Sequence, residues 1–217
     1  MTTPAWTVRP QRTALLVIDM QNDFVLPGAP MEVPAARETI PPQQRMLSVC
    51  RELGISVIYT QHVLYDGFDV SPLETAYNPL LKRVGMRAGT PGVDIVDALA
   101  PRDGEVVMPK HRYDAFHNTP LETLLSTVAG PGPAGADAPG TATGTVDTVA
   151  IIGTVTEVCC ESTARSAFMR DYKVAFLSDA TGSLAPDAQR ATERSIGTFF
   201  GRVLTVDEFS AEARAAR

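Results

Sequence analysis

The sequence predicts an α/β fold of three layers, in which a mostly parallel sheet of about six strands is doubly wound by helices on both faces. Three observations lead there. Short apolar runs alternate with longer stretches of helical period along the whole chain. The runs are near-continuously apolar rather than alternating, as strands covered on both faces are. At 217 residues and 44% hydrophobic, the chain is large enough to bury such a core without staples.

The first strand is Thr13 to Asp19, an apolar run ending in an acid. A proline-rich loop, Val25 to Pro34, leads to a helix over Ala35–Leu53 closed by Gly54. Ile55 to Thr60 is the second strand. Gln61 to Gly92 carries few periodic cues, and a loop that long in a compact domain usually serves or covers a site. Glu105 to Lys110 is a third strand. Thr119 and Pro120 read as N-cap and first residue of a helix through Val128. The Gly/Ala/Pro-rich stretch 129–145 reads as a flexible surface insertion within a single domain spanning 1–217. Thr148 to Gly153 is the next strand, and the residues after it start a helix, with Thr154 and Glu157 spaced as a capping box and Thr156 as an alternative N-cap. A strand at Lys173–Leu177, a helix over Pro186–Phe200, a short strand at Val203–Thr205 and a terminal helix complete the chain.

Charge and composition exclude several functions. The net charge is −6 with no basic run, which argues against nucleic acid as a partner. No apolar run reaches the ~18 residues that span a bilayer, and Met1–Arg12 is neither a signal nor a transit sequence. Three cysteines without a CxxC pair fit neither a zinc cage nor a disulfide framework. The expectation is a cytoplasmic protein with reduced thiols.

In an open parallel sheet, ligands sit outside the carboxyl ends of the strands. Asp19, Lys110 and Cys159 each fall at or just past such an end. Cys159 lies in or near a first helical turn, where orphan N–H groups favour a thiolate. Asp19 alone reads as well as a turn cap as a general acid/base, with Asp23 supporting the loop beside it. Lys110 alone reads as a surface charge; beside the other two, its ammonium would lower the thiol pKa. A cysteine–histidine pair is the competing arrangement, drawing on His62, His111 or His117. Cys160 sits about 100° round the helix from Cys159 and reads as core, as does Cys50.

Together Ile18-Asp19-Met20-Gln21-Asn22-Asp23-Phe24, Lys110-His111-Arg112-Tyr113-Asp114-Ala115-Phe116 and Gly153 to Ala164, with Asp171 to Val174 and Ser178 to Ala180 behind them, resemble the isochorismatase-like cysteine hydrolases. The resemblance covers roughly residues 10–208 and looks closest to the ureidoacrylate and N-carbamoylsarcosine amidohydrolase branches. It implies a catalytic triad of Asp19, Lys110 and Cys159, a cis peptide between Thr154 and Val155, and an oxyanion hole from the Val155 and Cys159 backbone N–H groups. It further implies hydrolysis of an amide or ureide C–N bond through a Cys159 thioester. Substrate contacts fall to Phe24, Gln21, His62 and Tyr113, and a homodimer or homotetramer is expected. Nicotinamidases in this superfamily bind a metal through an Asp-x-His pair and a further histidine. Here Thr60 to Asp66 holds one histidine, so no metal and no cofactor are expected. Relatives that cleave a vinyl ether, open lactam antibiotics or keep the fold without catalysis define the alternatives.

Overall fold

The computed structural model describes residues 5–128 and 145–216. Its centre is a sheet of six strands, β1 Thr13–Ile18, β2 Ser56–His62, β3 Val106–Lys110, β4 Thr148–Thr154, β5 Lys173–Gly182 and β6 Arg202–Leu204. They lie in the order β3-β2-β1-β4-β5-β6, every neighbouring pair parallel. The chain winds outward from β1 first to one edge and then, from β4, to the other. A crevice therefore opens at the carboxyl ends of β1 and β4, where the winding reverses.

Successive residues of β1 feed opposite cores, as the pleat requires. Leu15 and Val17 belong to a cluster with Met46, Leu47 and Phe209, whereas Ala14, Leu16 and Ile18 belong to one with Leu121, Leu125 and Ala164. All six β1 residues are buried, which is why the run carries no polar alternation.

The helices are α1 Asn22–Val25, α2 Pro34–Glu38, α3 Ile40–Leu53, α4 Pro72–Tyr77, α5 Leu121–Thr127, α6 Glu161–Phe168, α7 Pro186–Ser195 and α8 Val206–Ala215. The helix expected over Ala35–Leu53 is thus two. Pro41 and Pro42 have no N–H and fit only a first turn, so the helix restarts at Ile40. It ends at Gly54, whose φ of 69° closes it. α5 begins after Pro120, which is its N-cap rather than its first residue, while the Thr119 hydroxyl accepts from the Leu121 N–H at 3.2 Å. α7 runs on into a π turn, Ile196–Phe200. β5 extends past Leu177 through the polar residues Ser178–Gly182 to pair again with β4 beyond a bulge. The insertion expected at 129–145 lies, apart from Thr145, outside the described residues. Among those residues no helix is long and apolar enough to cross a membrane.

The segment after β2 is held by its own polar contacts. Ser71 caps α4 by accepting from the Leu73 and Glu74 N–H groups. Leu64 donates to the Met86 carbonyl at 2.7 Å and accepts from Ala88 at 3.0 Å. Arg87 pairs with Asp66 and donates to the Leu81 carbonyl. Asp23, expected to support its own loop beside Asp19, instead ties that loop to this segment, accepting from the Met86 N–H at 2.5 Å.

β4 approaches β1 most closely at Gly153, whose φ is 120° and whose missing Cβ would overlap the backbone of Ile18. Only glycine fits both conditions. Gly153→Ala is expected to cost about 3 kcal/mol or more, lowering the melting temperature by roughly 6 °C at ~2 °C per kcal/mol. A circular-dichroism melt within about 2 °C of the parent would show that the strands part freely there.

Candidate active site

Asp19 leaves β1 with a φ of 48°, a left-handed turn that aspartate tolerates better than most residues. Thr60, on the neighbouring β2, fixes it: the Asp19 N–H donates to the Thr60 hydroxyl at 3.2 Å, and that hydroxyl donates to Asp19 Oδ1 at 2.6 Å. Lys110 ends β3 and reaches across β2. Its Nζ lies 2.7 Å from Asp19 Oδ2, with both side chains fully buried. The same Nζ donates to the Arg112 carbonyl at 2.9 Å and to Cys159 Sγ at 3.6 Å. Lys110–Asp19 is a close ion pair outside hydrogen-bond alignment, so Oδ2 has no hydrogen-bond donor. The three residues predicted from separate strand ends therefore meet around one ammonium.

The peptide bond between Thr154 and Val155 is cis. Thr156–Cys160 then forms a π turn, with the Val155 carbonyl accepting from the N–H groups of both Val158 and Cys160. The expected capping box is absent. Thr154 Oγ1 donates to the Gly182 carbonyl, and Glu157 accepts from Ser183 and Leu184. Both members of the box are drawn to β5 or its exit, because β4 and β5 pair right up to the turn, while Thr156, the alternative N-cap, has its hydroxyl buried without a partner.

Cys159 departs from expectation in its charge. Burial raises its pKa to about 12; Lys110 and the Val155 N–H, which donates to the sulfur, pull down, while Asp19 pushes up. The resting group is a thiol beside the Asp19 carboxylate, since desolvation outweighs both the turn and the lysine. Cys160 is fully buried in the core, with a pKa pushed well above 9 by burial. Cys50 is core as well.

Of the histidines, His62 approaches the thiol. It is 1% exposed, and burial followed by the Lys110 and Arg112 charges holds its pKa well below 6.5. It is a neutral imidazole, unsuited to pair as a cation with a thiolate. His111 instead binds Asp69 at 3.0 Å and Val63 O at 3.2 Å, tying the loop after β2 to the end of β3. His117 contacts Asn118 and lines an outer cleft of about 380 Å³ with Arg112, Tyr113, Asp114 and Ser162.

The four expected substrate contacts divide. Tyr113 is 42% exposed in that cleft and meets the His62 ring edge-on at 6.1 Å. Gln21 is fully buried, its amide bonded at both ends to the His62 backbone at 2.7 and 3.0 Å. It holds His62 in place rather than facing the cleft. Phe24 is packed into the core beside Met20 and Val25, because α1 turns that side of the loop inward. The sequence reading also missed Thr60, whose polar side chain in an apolar strand next to Asp19 was the available signal. It expected no metal ligands, yet Asp19, His62 and Cys159 place three ligand atoms within 4.8 Å of one another, all buried.

This fold and site belong to a defined group of enzymes. Residues 13–208 match the Isochorismatase domain family, and the chain belongs to that family, the isochorismatase-like cysteine hydrolases. The chain is 31% identical to the ureidoacrylate amidohydrolase RutB of Rhizobium rhizogenes over 97% of its length and 87% of the relative's. It is 32% identical to that of Agrobacterium fabrum over 94% and 90%. A cysteine hydrolase from Pseudomonas syringae pv. phaseolicola superposes with a TM-score of 0.87 at 30% identity, covering 100% of this chain and 99% of its own. An N-carbamoylsarcosine amidase from Thermoplasma acidophilum gives 0.70 at 25%, covering 91% and 98%. The protein is an amidohydrolase-type enzyme acting on C–N bonds.

Lys110 gives the site a distinct pH signature. Burial lowers its pKa, but Asp19 and then Cys159 more than offset that and hold it above 10.5. A raised lysine pKa contributes stability that is complete below the unfolded value and is lost as pH rises through the folded one. Lys110→Met should cost about 3–5 kcal/mol at neutral pH, leaving Asp19 charged and unpaired. In urea titrations the gap between parent and variant should hold up to roughly pH 10 and shrink above it. A gap that widens with alkali would mean that the pair does not carry the charge assigned here.

Proposed function

We propose that this chain, acting as one hydrolase domain, cleaves an amide or ureide C–N bond of a small molecule through a thioester on Cys159, without a metal cofactor. The observation that carries the reading is the Lys110 ammonium bridging Asp19 at 2.7 Å and Cys159 at 3.6 Å. The names of the relatives, ureidoacrylate amidohydrolase and N-carbamoylsarcosine amidase, support the substrate class.

In this mechanism the thiol proton passes to the adjacent Asp19 carboxylate as sulfur attacks the carbonyl carbon. Lys110 keeps its charge and stabilises the anion that forms next to it. The negative oxygen then lies against the N–H groups of Val155 and Cys159, each worth ~3 kcal/mol if both point at it. Asp19 returns the proton to the departing amine, and water, deprotonated by the same carboxylate, releases the acid. A thiol with a pKa of about 12 makes this coupling necessary, because almost no free thiolate exists at neutral pH. His62 Nε2, buried without a partner, accepts a substrate N–H, and Tyr113 lines the approach. We further propose that the protein acts in the cytoplasm as a homodimer or homotetramer.

The test is ammonia release over a panel of ureides and primary carboxamides, with lactam ring opening followed by the mass gain of one water. Cys159→Ala should lower kcat by about 10³-fold or more, while Cys160→Ala keeps most of it. Equal loss in the two variants, or full activity in the first, overturns the assignment. Activity should also survive exhaustive chelation. Rapid alkylation of Cys159 in the free enzyme at pH 6 would contradict the resting thiol.

A further inference from the structure

His62 has a lone pair with nothing to receive. Its ring is hydrogen-bonded by the His111 backbone, while Nε2 is buried without a partner. The His111 bond therefore falls on Nδ1, and because it favours the protonated ring, Nδ1–H donates to the carbonyl. That fixes the tautomer with Nε2 as a bare acceptor. A backbone carbonyl behind the ring is the support that metal-binding histidines use. Gln21 secures the same residue from its main chain. In front of the ring stand Asp19 and Cys159, the three ligand atoms within 4.8 Å of one another, with Asp19 Oδ2 held by the Lys110 ion pair at 2.7 Å alone.

We propose that Asp19, His62 and Cys159 form an inhibitory zinc site, in which the metal competes with substrate for the thiol and the His62 lone pair. Inhibition rests on the hydrolase reading above; binding does not. The donor set is one imidazole, one carboxylate and one thiolate, a combination suited to tetrahedral Zn²⁺. Bond lengths of about 2.0–2.3 Å place such ligands roughly 3.3–3.8 Å apart, a contraction of about 1 Å from the widest spacing here. On binding, the Cys159 S–H bond breaks, a Zn–S bond forms and one proton leaves to solvent, with no change of oxidation state. Lys110 opposes the metal at two of its ligands, with Nζ 2.7 Å from Asp19 Oδ2 and 3.6 Å from the sulfur, though the Arg112 carbonyl still accepts from it. This opposing charge makes the site a reversible inhibitory one rather than a structural one.

The full chain, purified without reductant or chelator, is titrated with Co²⁺ as a spectroscopic stand-in. Expected are a near-ultraviolet sulfur-to-cobalt charge-transfer band and visible bands of a four-coordinate ion, both erased by Zn²⁺. Cys159→Ser should lose the charge-transfer band. His62→Gln and His62→Asn, checked for folding by circular dichroism, should each weaken Co²⁺ binding by about tenfold or more. With the active enzyme, Zn²⁺ should raise apparent KM at unchanged kcat, and chelator should restore the original value. Cobalt bound without a charge-transfer band, or with unchanged affinity in both His62 variants, overturns the site. Spectra as expected on a protein inactive against every substrate would instead overturn the hydrolase reading and leave the metal site standing.

Discussion

A lysine cannot remain charged in a protein interior without an anion beside it, and that requirement organises this enzyme. Lys110 and Asp19 are both fully removed from water, 2.7 Å apart. Each ion alone would cost several kcal/mol to bury, so the pair forms only if the two strand ends meet. Thr60 on the strand between them supplies the remaining hydrogen bonds to Asp19. The result is a polar seam across β1, β2 and β3, with Cys159 brought against it from β4. Packing elsewhere could shift by a rotamer, but this seam tolerates little displacement without leaving a bare charge.

The seam also sets how the thiol is used. Helix position and a nearby cation argue for a thiolate, and both are present. Desolvation nevertheless wins, because Cys159 is 3% exposed. A free thiolate would be a standing target for oxidants and metals. A buried thiol whose pKa is pushed to about 12 stays protonated at neutral pH, which lowers that exposure.

Much of this was legible in the sequence, for identifiable reasons. The apolar runs at Leu15–Ile18 and Val149–Ile152 could only be central strands, and their ends located Asp19 and Cys159. The same logic located Lys110. Local capping rules failed at Thr154 and Glu157, where strand pairing with β5 claimed both side chains. The pair Pro41-Pro42 carried a break within the predicted helix, visible in hindsight as a first-turn signal. Phe24 and Gln21 were misplaced because motif proximity says nothing about which way a side chain faces after a left-handed turn at Asp19. The thiol pKa was beyond sequence altogether, since it depends on burial that only the assembled layers create.

The segment after β2 is fastened to the rest of the protein mainly through His111, Arg112 and Asp23, by Asp69 and Met86. Lys110 shares in this fastening, its carbonyl accepting from the Val63 N–H at 2.9 Å and its Nζ donating to the Arg112 carbonyl at 2.9 Å. The outer cleft is lined from the stretch after β3 and from α6, by Arg112, Tyr113, Asp114, His117 and Ser162, so its shape is tied through Arg112 to the same ammonium that holds Asp19. A change in that lining is therefore felt at the buried charge as well, and the cleft and the ion pair behave as one mechanical unit.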